Sequence, residues 1–596
     1  MSVNFNPSFL SFGAATVVAP IIQSFTSNTT TTSATFTPTA PSGTVAGDLI
    51  ICNIGTTAGR YIKYFNGWTE IDQNLLNNVN NQHIVYIIAT GSTLPTLTFS
   101  GNAAYHASTY RITGHNPAAP IDQANWAYDG TVGLTLTVAS VTPSVDKTLM
   151  LAMFAANSNV ALSTVDNSMT IDVQNSTAWS SHNTSKTLTS MAATGSVTAT
   201  WPSVSTGRLG CIITICPVGE TPDRVKPRYW VGGSGNWTET NTANWSATSG
   251  GAGGASVPTK TNSVFWDNNS SSGNYTVGID TPASWQTPCL DFTTTAPASG
   301  NLTFNSTGRG IIQVYGNCSL YSGTLFTGVA SVPGAGQPGS FDHFYMFATA
   351  PSTLRTNGVR MVSIFGIWAE TSVTLLDPIT CGDLVLSKGD FNDGGQTITC
   401  RCVTFNQVYD RSIHFGACTW NIVGPIDLTN TMGWNLGQLG YNVNFYLPAN
   451  PNDSIINVTC SDAGGILLGY DYTSTGTRKL GHVKIGTTGA GWVNVASGFT
   501  CETLEITGVA RTLKCLQVST LKINAKTWLC GGTAGNLNVF APYTAATAYK
   551  LDKTGGGTVN MDYLSISYAN ATPTPSVWFV GTHSTDGGSN TGLSFT

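Results

Sequence analysis

Charge is what this 596-residue chain has least of: Asp, Glu, Lys and Arg together make up 9% of it, against the usual quarter. The shortage does not mark disorder, which couples low hydrophobicity to high net charge; here 41% of the residues are apolar and the formal net charge is only -5. No Lys/Arg run occurs, which removes the electrostatic footprint of a nucleic-acid binder. Helical periodicity is missing, and the apolar runs are of strand length, so no membrane-spanning helix is expected. The opening MSVNFNPSFLSFGAATVVAP has no basic residue ahead of its apolar ones and does not read as a conventional signal peptide, although another export route stays open.

Chemistry-bearing motifs are as scarce as charge. The eight histidines are scattered, without an H-x-x-x-H or a Cys/His grouping, and no P-loop, nucleophile elbow or dinucleotide fingerprint stands out. Asp267-Asn268-Asn269 and Asp586-Gly587-Gly588-Ser589-Asn590 carry too few acids for a calcium loop and read as turns. No cofactor and no metal is expected. The thirteen cysteines are an odd number and sit mostly within strand-like runs, which reads as buried small hydrophobes rather than a disulfide framework. Cys400 and Cys402, one residue apart, are expected on the same side of one strand.

What the chain has is glycine, threonine, serine and asparagine around short runs of β-formers. Its length implies two or more domains. Residues 1–27 read as an arm or a first strand. From 28 to 218, segments such as GDLIICNIG, HIVYIIATG, STYRITG and LGCIITICPV alternate apolar with polar, as half-buried antiparallel strands do; the expectation is a jelly-roll-like β-sandwich. Residues 219–228 form a linker with a cluster of charges and stiffening prolines. From 229 to 596, strand follows strand with Gly/Asn/Asp/Thr turns and no helix, which suggests coils of a β-solenoid or β-helix; a large sandwich stack is the alternative. Ser331 to Phe347 and Leu447 to Ser454 read as loop excursions from its face. The expected fold class is therefore all-β throughout.

Two resemblances sharpen this. Gly47-Asp48-Leu49-Ile50, Gly67-Trp68-Thr69, Tyr86 to Gly91, Tyr110 to Gly114 and Pro120-Ile121-Asp122, in that order, resemble a sandwich domain that recurs in phage virion and tail-associated proteins. The W-x-G-G-x-G-N-W of Trp230 to Trp237, with the closing Asp562-Tyr563-Leu564, Trp578, Gly581 and Asp586-Gly587-Gly588-x-Asn590-Thr591-Gly592 up to Phe595, is similar to the two ends of a family of phage and bacterial solenoid proteins. Leu593 stands where that family more often has an aromatic. The resemblance implies caps at 229–266, carrying Trp230, Trp237, Trp245 and Trp266, and at 561–596, carrying Trp578 and Phe595. Such caps would cover the open backbone edges of the terminal coils.

The same resemblance implies a virion structural protein, assembled in the host cytoplasm: a tail fibre, appendage or capsid decoration, homo-oligomeric and trimeric by analogy with fibres. Its partners would be other virion proteins and a host surface glycan or receptor, with no nucleic acid and no membrane insertion. Catalysis is not expected, because isolated acids (Asp342, Glu370, Asp377, Asp383, Asp390, Asp393, Asp410, Asp462, Asp471) form no readable pair. A glycan-depolymerising tail spike and a secreted bacterial adhesin are the alternatives. Should a binding site exist, the place to look is Asp342-His343, flanked by Phe341, Phe344 and Tyr345.

Overall fold

Thr, Val, Ile and aromatic residues at alternate positions, punctuated by glycine and asparagine turns, favour a pleated backbone and leave no room for a helical stripe. The computed structural model describes residues 17–57, 60–76, 80–157, 160–176, 180–279, 286–306, 311–328, 343–361, 364–405, 409–423, 434–435, 443–460, 466–467, 479–487, 492–495, 499–515, 522–553, 555, 557–573 and 578–596. Among them there is no α-helix, only the single 3-10 turns Asp223–Val225 and Pro451–Asp453, so the chain is all-β. It divides into two compact units, Met1–Lys226 and Pro227–Thr596, and the division falls inside the charged stretch 219–228.

The N-terminal unit holds two antiparallel sheets. The first contains β1 (Ile21–Phe36), β2 (Leu49–Thr57), β3 (Ile62–Tyr64), β4 (Thr69–Leu76), β5 (Asn80–Ile88) and β6 (Leu97–Thr113), in the order β1-β6-β2-β5-β4 with β3 also on β6. The second contains β7 (Ile121–Asp129), β8 (Gly133–Val138), β9 (Leu149–Asn157), β10 (Thr164–Val165), β11 (Thr170–Ser176), β12 (Ser180–Thr187) and β13 (Val197–Ile215), in the order β10-β13-β9-β12-β11 with β7 and β8 also on β13. Part of the stretch 1–27 is thus the start of strand β1; residues 1–16 lie outside the described ones.

These two sheets repeat one topology, which the sequence reading did not detect. Leu49 pairs with Ile88 and Ile112, and Leu149 pairs with Thr187 and Ile215. A register break falls between Glu70 and Asp72 in the first sheet and between Ile171 and Val173 in the second. In the turns before β4 and β11, Asn66 (φ 48°) and Asn167 (φ 59°) both adopt the left-handed conformation. Their side-chain amides donate to the Thr96 and Thr194 carbonyls at 2.6 and 2.7 Å. The strand β1 of the first repeat is interrupted in the second, where Gly130-Thr131-Val132 separate β7 from β8. Alternation then sorts the side chains: Leu49, Ile51, Leu149, Leu151 and Met153 join one cluster common to both sheets, while Ile50, Cys52 and Ile54, or Met150, Ala152 and Phe154, fill a separate core for each repeat.

The C-terminal unit is built from parallel ladders. Its one antiparallel strand pair among the described residues is at its start, where Trp245–Ser246 runs against Arg228–Trp230. Elsewhere each strand lies parallel beside one further along the chain, from Val373 beside Phe391, 18 residues on, to Gly235 beside Val277, 42 residues on. Columns of aligned side chains point inward; Ile398, Trp420, Ile456, Val483, Leu504 and Trp528 form one such column, all buried. A single continuous core runs from Trp230 to Val580.

Two sequence expectations change here. Cys400 and Cys402 do not share a strand: Ile398–Cys400 and Cys402–Thr404 belong to different ladders, and the chain turns a corner at Arg401. Nor is the end of the Ser331–Phe347 stretch a loop, because His343–Met346 is a strand paired on both sides; residues 331–342 lie outside the described ones. The twelve cysteines whose side chains are described are all buried, as expected of small core hydrophobes.

Candidate functional site

At the start of the C-terminal unit the four tryptophans form one cluster. Trp245 has ring centroids of Trp230, Trp237 and Trp266 at 5.2, 5.3 and 5.6 Å, in edge-to-face arrangements. All four are at most 1% exposed. The glycines of the motif are needed by Asn244: a Cβ at Gly232 or Gly235 would stand 2.3 or 2.7 Å from its amide. Asn244 in turn accepts from Val231 N–H through its carbonyl and donates its side-chain amide to the Asn236 carbonyl. Trp230 Nε1 donates to the Gly233 carbonyl at 2.7 Å.

At the far end, Asn590 does the work of a missing strand. Its Oδ1 accepts from Ala569 N–H at 2.9 Å, and its Nδ2 donates to the Ile566 carbonyl and to Asp586. Gly587 N–H also reaches the Ile566 carbonyl, and Tyr568 N–H reaches the Gly588 carbonyl. Asp586 Oδ1 receives Gly588 N–H, which holds the turn. Trp578 packs edge-on to Trp528 at 4.9 Å and donates Nε1 to the Thr572 carbonyl, while Leu593 and Phe595 lie half-buried against the core. Three of the outermost strands at the two ends, Gly235–Asn236, Trp245–Ser246 and Thr585–Asp586, are two residues long, and the fourth, Ala569–Thr572, is bonded by Asn590 and Thr591, so little free edge remains to template another chain.

Between the ends, the outer face carries a stripe of rings. Of the five residues singled out by sequence, Phe341 and Asp342 lie outside the described residues. Phe344 is fully buried beside Phe365 and cannot meet a ligand. His343 and Tyr345 point outward, half-buried, with their rings parallel at 5.8 Å. Sequence reasoning missed their neighbours. Phe347 stacks between Tyr315 at 5.5 Å and Trp368 at 5.8 Å, and Trp368 meets Tyr409 at 5.2 Å. Lys388 lies over the Tyr409 ring at 5.2 Å and donates to both carboxylate oxygens of Glu370 at 2.7 and 2.6 Å. Burial raises the Tyr345 phenol above its ordinary value. The chain spacing between these rings ranges too widely for the sequence to align them.

The described acids are engaged in the scaffold. Asp377 accepts from Thr356 and Asn357 N–H, both at 2.7 Å. Asp393, fully buried, accepts from Gly395 and Gly416 N–H and from Trp420 Nε1. Asp383 pairs with Arg401 and Asp390 with the Ser412 hydroxyl. The Asp410 backbone carbonyl accepts from Gly389 N–H. Asp462 and Asp471 lie outside the described residues, and no group of three or more His, Cys, Asp or Glu suited to a metal occurs among the described ones.

Comparison with family models, curated proteins and solved structures finds no match for this chain.

Proposed function

We propose that the chain is a non-enzymatic structural protein of a tailed-phage particle, a fibre, appendage or decoration protein that contributes to host adhesion. In this reading the N-terminal unit is a β-sandwich that docks and the C-terminal unit is a capped β-solenoid that projects. The observation that carries it is the commitment of polar chemistry to architecture: Asp377, Asp393, Asp586 and Asn590 satisfy backbone groups along and at the end of the ladders. A glycosidase needs two carboxylates facing a common space. Here Glu370, two residues from Trp368 of the aromatic stripe, is paired with Lys388.

The stripe of Tyr315, Tyr345, Phe347 and Trp368 supports adhesion of modest strength. Stacked rings cover one another's faces, so a host glycan would meet mostly ring edges and the Glu370–Lys388 pair. The low charge and the resemblance at both ends of the C-terminal unit favour a virion setting and a homo-oligomer. Mass spectrometry of purified phage particles tests the reading, with the chain expected at stoichiometric abundance. Incubation with host polysaccharide tests the absence of catalysis; a shortened size distribution would overturn it.

A further inference from the structure

The two repeats of the N-terminal unit carry a buried histidine at the same place. His83 on β5 stands opposite Ile54 of β2, and His182 on β12 stands opposite Phe154 of β9; both are fully buried. One difference between their surroundings is a carboxylate. In the first repeat, Glu70 reaches His83, Oε1 to Nδ1 at 2.8 Å. Glu70 pairs with Val85, two residues beyond His83, and Ile171 pairs with Thr184, two residues beyond His182, so the second repeat has isoleucine where the first has the carboxylate.

We propose that this asymmetry is an acid-sensitive device: His182 makes the second repeat of the N-terminal unit the one that opens on mild acidification, while the Glu70–His83 pair holds the first repeat closed. The second repeat has no other charge to receive a proton at that place. On β11, β12 and β13 the charged side chains are Asp172, bonded to Tyr110; Lys186, bonded to Asn167; and Arg208, paired with Asp129. The strands β8, β9 and β10 carry none, and Asp166, in the turn before β11, accepts from Thr198 N–H. The His182 ring instead faces Trp201, centroids 6.3 Å apart.

Burial pushes the His182 imidazole down from 6.5 to about 4, against the opposing effect of the Val160 backbone. The sign follows from linkage. Below pH 6.5 the unfolded or opened chain takes up a proton that the closed form refuses, so stability present above that pH is lost as the pH falls toward 4. Through His182 alone, the opening equilibrium at pH 5 should have risen about 30-fold over its value at pH 7.5; burial raises the Asp122 and Asp172 carboxyls, which offsets part of this. His115, which burial also lowers, bridges from just after β6 to Pro217 just after β13, outside the strands to be compared.

The test is hydrogen exchange of the full chain at pH 7.5 and 5.0, corrected for intrinsic exchange and read by mass spectrometry. Peptides from β9, β12 and β13 should lose up to about 30-fold more protection than those from β2, β5 and β6. The variant I171E, which supplies a carboxylate, and the variant H182Q, which removes the titrating group, should each abolish most of that difference. Equal loss in both repeats, or a difference that survives in either variant, would overturn the proposal. Should H182Q fold poorly, I171E alone decides it, because Ile171 is half-exposed and tolerates a polar end.

Discussion

The ring of Tyr345 occupies the space where a side chain at residue 366 would begin: a Cβ on Gly366, in the next circuit of the ladder, would lie 2.0 Å from Tyr345 Cε1 and 2.1 Å from Cδ1. Gly366 is therefore required by its neighbour rather than by its own backbone. The substitution G366A should cost about 1–3 kcal/mol through displacement of the tyrosine. In a Y345A background the same change should cost little, so a double-mutant cycle in denaturant reads the coupling. Equal cost in both backgrounds would show that the overlap is not the cause.

Trp245 touches three other indoles at the start of the C-terminal unit. Replacement by alanine leaves a cavity in a fully buried cluster and should destabilise the C-terminal unit by roughly 3–5 kcal/mol. Hydrogen exchange should report the loss first at Arg228–Trp230, the strand paired with it, and at Val264–Trp266, the next in the ladder. Unchanged protection there would mean that the cluster does not hold the end of the ladder.

Asn590 substitutes for backbone at the end of the C-terminal unit, so N590A leaves Ala569 N–H without its acceptor and should cost roughly 1–3 kcal/mol. The exposed edge should also promote self-association at high concentration, readable by light scattering. The variant N590D keeps the acceptor and loses the donor to Ile566, and an intermediate effect is expected. A fully stable, monodisperse N590A would contradict this account.

Cysteine reactivity follows from burial. Desolvation pushes the Cys52 and Cys381 thiols up to about 12, and the Cys289, Cys400 and Cys402 thiols well above their ordinary value. At pH 8 the folded chain should leave the twelve buried cysteines unalkylated by iodoacetamide, whereas all should label in guanidinium. Peptide mapping gives the answer residue by residue, and rapid native labelling of Cys402 would be the clearest contradiction.

The sequence by itself determined that this protein is all-β, because alternation and turn chemistry are local and each short run of β-formers between glycines and asparagines declares itself. It also marked the indoles at the start of the C-terminal unit and the Asp586-to-Asn590 turn, whose residue types are legible without knowing their partners. The rest belonged to tertiary structure. Paired residues on neighbouring strands of the C-terminal unit lie between 18 and 42 residues apart, so nothing local states that Tyr345 will meet Gly366 or that Lys388 will meet Glu370. The Cys400-to-Cys402 corner was misread for the same reason: a two-residue period holds only while the chain stays straight. The repeat in the N-terminal unit was hidden because its copies share pairing and bulges rather than residues. Only once those pairings align Glu70 with Ile171 does His182 stand out as lacking the carboxylate that His83 has. Hydrogen-bonded register is a property of segments far apart in the chain, and the folded structure alone sets it.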